Sequence, residues 1–195
     1  MKKLLTAIIM LALAVPAFAG LREDPHSKWV VRGSAAYIPS VPYILLPWLG
    51  IAEALSADED AGEKAELDFP PYMAVEGMYS FNGRWSVGAS LGYCGLAGRV
   101  RKADGTVKDG SRTSLVLLPL TVVGRCNYVN HPAFKLYGTL EAGAMFSVSG
   151  GFSVVPDIQI NPLGTEFGGR RLFGLVELGF GMNYFGARVG MGYRF

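Results

Sequence analysis

The side chains able to do strong acid–base, nucleophilic or metal chemistry are few: two histidines, His26 and His131, and two cysteines, Cys94 and Cys126. A histidine beside a serine would serve acyl transfer, and thiols joined by histidines would begin a zinc site. His26 precedes the first regular segment, and His131 sits in the short connection Asn130-His131-Pro132. Two cysteines with no accompanying histidines make a poor metal site. There is no nucleophile elbow and no phosphate-cradling glycine loop ahead of a helix. Gly150-Gly151 and Gly168-Gly169 read as strand bends or loop ends. The expectation is no catalytic residue, no metal, no cofactor and no enzymatic activity. What remains is a series of charges set among apolar neighbours: Arg32, Glu76, Arg125, Lys135, Glu141, Arg171, Glu177, Arg188 and Arg194.

Those charges stand in segments where polar and apolar residues separate by parity, the mark of a strand with two unlike faces. In 29–38, Trp29, Val31, Ala35 and Tyr37 oppose Arg32 and Ser34; in 72–81, Met73, Val75, Tyr79 and Phe81 oppose Ala74, Glu76 and Ser80. In 85–94, Trp85, Val87, Ala89, Leu91 and Tyr93 oppose serines and glycines. In 114–127, Leu118, Leu120 and Val122 oppose Thr121, Arg125 and Asn127. Segments 135–148, 152–161 and 171–183 continue the pattern, with Glu141, Asp157, Gln159, Asn161 and Glu177 among their polar positions. The last is the cleanest: Ala187, Val189, Met191, Tyr193 and Phe195 oppose Arg188, Gly190, Gly192 and Arg194. Eight strands are expected, the sixth the weakest because Pro156 interrupts it.

The chain is 50% hydrophobic with a mean hydropathy of +0.28. Beyond its start, it has no run of the ~18 apolar residues that reads as a spanning helix. A transmembrane barrel reconciles these facts, because apolarity is spread over alternate residues of many short strands. Soluble sandwiches alternate too, but their polar face is richly charged; here it holds many glycines and serines, which suit a narrow barrel interior. Residues 1–19, MKKLLTAIIMLALAVPAFA, read as a cleaved secretory signal, with Lys2 and Lys3, an apolar core, and Ala17-Phe18-Ala19 as the cleavage site. The leader takes two of the 18 basic residues and none of the 16 acidic ones, leaving the mature part formally neutral. A nucleic-acid partner would need a clustered basic face, so none is expected. Residues 20–195 are read as one domain, an all-β, closed antiparallel membrane barrel whose strands and loops begin near residue 28.

Asn82-Gly83 is a tight-turn pair, and 130–132 is a second short connection; the links at 40–70 and 101–112 are long. In bacterial barrels short turns face the periplasm and long loops face outward. On that scheme 162–165 is a periplasmic turn and Phe185-Gly186 a tight outer one. Arg32 with Glu76, and Glu177 with Arg194, are the expected ion pairs across neighbouring strands. The enclosed charges are either a selectivity lining or a structural core that plugs the barrel. With a hairpin folded about residue 107, Cys94 and Cys126 lie about 20 Å apart, so two free thiols are expected.

The first long loop is divided. Tyr43, Ile44, Leu45, Leu46, Trp48, Leu49 and Ile51 make its first half apolar, and Asp58, Glu59, Asp60, Glu63, Glu66 and Asp68 make its second half acidic. Pro47 can open a short interfacial helix through Ala57. Tyr43, Trp48, Leu49, Asp58, Glu59 and Asp60 are the candidate binding residues of such a lid. The other reading is an extended strand end with a flexible acidic tip, whose spacing fits no EF-hand loop.

The closing strand ARVGMGYRF resembles that of bacterial outer-membrane barrels, which ends in an aromatic residue after alternating apolar positions. KWVVRGSAAYIP and LPLTVVGRCNYVNHPAFKLYGTLEAGA also resemble small barrels of the OmpA, OmpX and OmpW kind. The resemblance implies that Val189, Met191, Tyr193 and Phe195 form the signal read by the barrel-assembly machinery. It further implies transit with periplasmic chaperones, residence as a monomer in the outer membrane of a Gram-negative cell, and contact with its lipids, including lipopolysaccharide. Three functions are carried forward: a non-enzymatic envelope protein acting in membrane integrity or surface binding through its loops, a small OmpW-like pore for apolar solutes, and a disfavoured lipid-modifying enzyme of the outer leaflet.

Overall fold

A sheet with one apolar and one polar face leaves unpaired backbone groups at its edges, and closing the sheet on itself removes them. The computed structural model describes residues 28–37, 64–104, 106–107, 113–131, 134–148 and 153–195. They form nine segments: β1 (Trp29–Ala36), β2 (Lys64–Asp68), β3 (Tyr72–Ser80), β4 (Trp85–Arg101), β5 (Thr113–Asn130), β6 (Phe134–Ser147), β7 (Ser153–Gly168), β8 (Leu172–Gly181) and β9 (Gly186–Arg194). Every pairing is antiparallel, and β9 pairs back onto β1, with Val30 opposite Arg194 and Ala36 opposite Arg188. The barrel has eight staves, as the alternation predicts. Segments β2 and β3 share one stave against β4, with Asp68 opposite Ala97 and Met73 opposite Tyr93. Phe69-Pro70-Pro71 separates them, because neither proline can donate to the ladder.

Two expectations about connections are corrected. The stretch 40–70 is not loop throughout: its last part is β2. The link expected at 101–112 is found, since β4 runs to Arg101 and β5 starts at Thr113, although β4 extends well past the segment read as 85–94. Residues 162–165 do not form a turn. Strand β7 continues to Gly168, Pro156 stands within it opposite Ala144, and the turn is made by Gly169–Arg171. The register slips between Ile160 and Leu163, and this bulge at Pro162 moves the inward face from odd to even positions. The final hairpin turns over Met182–Phe185 and re-enters the sheet at Gly186, whose φ of 101° suits a residue with no Cβ. At the Asn82-Gly83 turn, the Asn82 side chain accepts hydrogen bonds from the Arg84 and Trp85 backbone amides at 3.0 and 2.8 Å.

The β3–β4, β5–β6 and β7–β8 connections collect at one end, called the turn end below; the other, which also holds the Met182–Phe185 turn, is the loop end. Outward positions are apolar and exposed, among them Val75, Leu91, Leu120, Val122, Leu140 and Ile158. Inward, the two ends differ. Towards the loop end Ala36, Tyr72, Cys94, Leu96, Val100, Leu115, Leu117, Met145 and Tyr184 form one apolar cluster, with Phe69, Val155 and Met182 packed against it. Towards the turn end the interior is charged. Inward rings are accommodated by glycine on the next stave: Tyr72 lies over Gly92, Tyr137 over Gly164 and Phe173 over Gly192, where a Cβ would collide with each ring.

In the observed register Cys94 faces Leu117 and Cys126 faces Trp85, so nine positions of β5 separate Cys126 from the partner of Cys94. Both thiols are free. The leader (residues 1–19), His26, the helix expected over 47–57, and Tyr43, Trp48, Leu49, Asp58, Glu59 and Asp60 lie outside the described residues.

Candidate functional site

The charged interior is built in two tiers. The central tier joins Arg32 on β1, Glu76 on β3, Glu141 on β6, Glu177 on β8 and Arg188 on β9, all with side chains at 0% exposure. Register brings them together, since Arg32 stands opposite Glu76 and Glu177 opposite Arg188. Arg32 donates from Nε to Glu76 Oε2 at 2.6 Å, from Nη1 to Glu177 Oε1 at 2.8 Å, and from Nη1 to the Tyr137 hydroxyl at 3.3 Å. Arg188 donates from Nε to Glu177 Oε2 at 2.6 Å and from Nη2 to Glu141 Oε1 at 3.1 Å. Its Nη1 lies 2.8 Å from Glu76 Oε1 as an ion pair outside hydrogen-bond geometry. Each arginine therefore bridges two or three carboxylates, and no carboxylate depends on a single strand.

Neutral groups complete this tier. Glu141 accepts from Asn161 Nδ2 at 3.1 Å and from Thr121 Oγ1 at 3.4 Å. Asn161 also donates to Thr139 Oγ1 at 2.8 Å and accepts from the Tyr184 hydroxyl at 2.6 Å. Such satisfaction is what an enclosed ion cluster requires, because desolvation costs several kcal/mol per ion in order of magnitude.

The second tier lies nearer the turn end. Glu166 is held by Arg125 on one oxygen and by Arg194 Nη2 on the other, the latter at 2.6 Å. Arg125 also donates from Nε to Asn127 Oδ1 at 2.9 Å, and Arg194 from Nη1 to the Gly169 carbonyl at 2.9 Å. Tyr137 lies between the tiers: the Arg125 guanidinium sits 3.6 Å from its ring centroid and that of Arg32 5.7 Å away. Arg194 lies 4.1 Å from the Phe173 ring centroid.

Of the nine charges expected in the lumen, Arg32, Glu76, Arg125, Glu141, Glu177, Arg188 and Arg194 are buried there. Lys135 stands half-buried at the rim, opposite Glu166. Arg171 is corrected: it is exposed in the Gly169–Arg171 turn, ahead of the first residue of β8. The Arg32–Glu76 pair is found. The Glu177–Arg194 pair is not, because β8 sets Glu177 opposite Arg188 while Arg194 lies beyond Leu172 and reaches Glu166 instead. Sequence reasoning passed over Glu166, having closed β7 at Asn161; the signal was Pro162, a bulge residue followed by a second alternating run, Gly164, Glu166 and Gly168. Met191, Tyr193 and Phe195 face outward, and Val189 is half-buried on the same face. His131 caps a turn, its backbone amide donating to the Phe134 carbonyl at 3.0 Å.

Neither a protein-family model nor a curated protein matches this chain.

Proposed function

We propose that this protein is a non-enzymatic integral outer-membrane barrel of the OmpA, OmpX and OmpW kind, acting in envelope integrity or surface binding rather than as an open pore. The observation that carries this reading is the central tier: five charged side chains from five strands, all at 0% exposure, meet across the lumen. A conducting path would keep such groups hydrated, and here their partners are one another.

The outer face supports membrane residence. Trp29, Phe81, Trp85, Tyr128, Phe134 and Phe195 are exposed around the turn end, and Tyr37, Tyr93 and Phe185 near the loop end. Aromatic girdles of this kind flank the apolar band of a membrane barrel. From Trp29 to Tyr37, or from Trp85 to Tyr93, the strand spans about 27 Å, or about 20 Å of depth at a tilt near 40°. The turn end is then periplasmic. Strands β4–β7, of 14 to 18 residues, carry a wall beyond the outer girdle, whereas β1, β8 and β9, of 8 to 10 residues, stop near it. That wall and the links it carries are the surface available for binding outside the cell.

Membrane fractionation of a Gram-negative cell expressing the full chain tests the reading. The expected result is a processed protein in the outer-membrane fraction whose gel mobility shifts on heating. An unprocessed or soluble protein would end it.

A further inference from the structure

One interior carboxylate belongs to neither tier. Asp157 on β7 is buried, and neither of its oxygens has a hydrogen-bond partner among the described residues. Asn183 is the polar side chain beside it, and both polar atoms of that amide are buried and unmet as well. The backbone holds the two together. Gln159, two residues along from Asp157, accepts from the Asn183 and Tyr184 amides at 3.2 and 3.4 Å and donates to the Tyr184 carbonyl at 3.1 Å. Gln159 stands opposite Gly181, the last residue of β8, so Asp157 and Asn183 lie past it, where β7 rises beyond the outer girdle.

The titratable groups sharing this end are Tyr72 on β3, Cys94 on β4 and Tyr184 in the turn, while β5 brings Leu115 and Leu117. Below them, Glu141 on β6 is bound to Arg188 on β9, which is also bound to Glu76 and Glu177. No cation among the described residues pairs with Asp157. A buried polar group left unmet in a folded protein calls for a partner. Ionised, Asp157 has acceptors only, so it can take a hydrogen from the Asn183 amide but leaves the Asn183 carbonyl facing its lone pairs. Protonated, it donates to that carbonyl and accepts from that amide, and all four atoms are met.

We propose that Asp157 and Asn183 form a proton-operated latch, which fastens the Met182–Phe185 turn to β7 in acid. The proton comes from solvent. Burial away from any cation pushes the Asp157 carboxyl up to about 6. A raised folded value sets the sign: ionised Asp157 weakens the turn above that value, and the penalty fades as pH falls through it. The latch is additional to the structural role above, and its failure would leave that role untouched.

Hydrogen exchange of the Met182, Asn183 and Tyr184 amides, all bonded to β7, tests it in the refolded chain in micelles. After correction for intrinsic rates, protection should be at least fivefold greater at pH 4.5 than at pH 8. Asp157→Asn, which presents a complementary amide to Asn183 at every pH, should show the acid level of protection throughout. If that variant loses its heat-dependent gel shift, the carboxyl carbon resonance of Asp157 in the wild-type chain reads the same proton, and its midpoint should lie above the ordinary carboxylate range. Protection that does not change with pH in the wild-type chain, a pH step that survives Asp157→Asn, or an ordinary Asp157 midpoint would each overturn the proposal.

Discussion

Towards the loop end Tyr72, Leu96, Leu117, Met145 and Tyr184 fill the barrel with apolar contacts, whereas at its middle Arg32, Glu76, Glu141, Glu177 and Arg188 fill it with ion pairs. Both regions exclude water from a narrow interior, but by different means. Apolar packing is non-directional and accepts a partner of similar volume. The ion cluster is directional, and each member is satisfied only while the others are present. The difference teaches where the barrel is tolerant and where it is not.

The largest break of the comparison is Arg188→Met. It removes the cation shared by Glu76, Glu141 and Glu177, leaving Arg32 on Glu76 and Glu177 and taking the arginine partner from Glu141. Loss of one partner from a buried charge network costs roughly 3–5 kcal/mol, so the urea midpoint of the heat-modifiable band should fall steeply. Next comes Gly164→Val, which drives a side chain into the Tyr137 ring between the two tiers. About 1–3 kcal/mol of destabilisation is expected from such overpacking, while Gly33→Ala, with nothing within 4 Å of its new Cβ, should leave the midpoint nearly unchanged. In the apolar half, Leu117→Met keeps volume and polarity and should cost less than about 1.5 kcal/mol. A loss as large as that of Arg188→Met would erase the distinction drawn here.

The smallest effect lies at the loop end of the wall, on the exposed strand β2. Glu66 on β2 accepts from Arg99 Nε at 2.7 Å and lies 3.1 Å from Arg101 Nε. The Arg99 guanidinium, with Arg101 beside it, holds this carboxylate below its usual range. A lowered folded value means the pair stabilises the docked strand fully above the ordinary carboxylate pKa and is lost as pH falls through the lowered value. Amide exchange of 64–68 should therefore stay slow through mildly acid pH and accelerate only below the usual carboxylate range, with 72–80 unaffected. Glu66→Gln should remove that pH dependence.

Much of this was legible in sequence because a period of two is a direct physical record of two unlike faces. Seven of the enclosed charges follow from parity alone, and so do the eight staves. What parity cannot carry is a register slip. At Pro162 the inward face changes from odd to even, so Glu166 was invisible to a reading that stopped at Asn161, and Arg171 shared the inward parity of Glu177 while lying ahead of the strand's first residue. Pairing across strands needs register as well: Glu177 and Arg194 share the interior but face different partners. The apolar loop-end cluster was hidden for another reason. Leu96 and Val100 lie in the part of β4 past the segment read to residue 94, where Ala97, Arg99 and Arg101 face outward and the apolar side chains inward. Leu115 and Leu117 lie where the sequence is almost uniformly apolar, so the alternation gave no warning of them.

Planar-bilayer conductance of refolded residues 20–195, with the heat-dependent gel shift as proof of folding, tests the central claim most directly. A barrel closed by the Arg32, Glu76, Glu141, Glu177 and Arg188 cluster should insert and stay electrically silent. Discrete, reproducible conductance steps from the folded wild-type chain would contradict it.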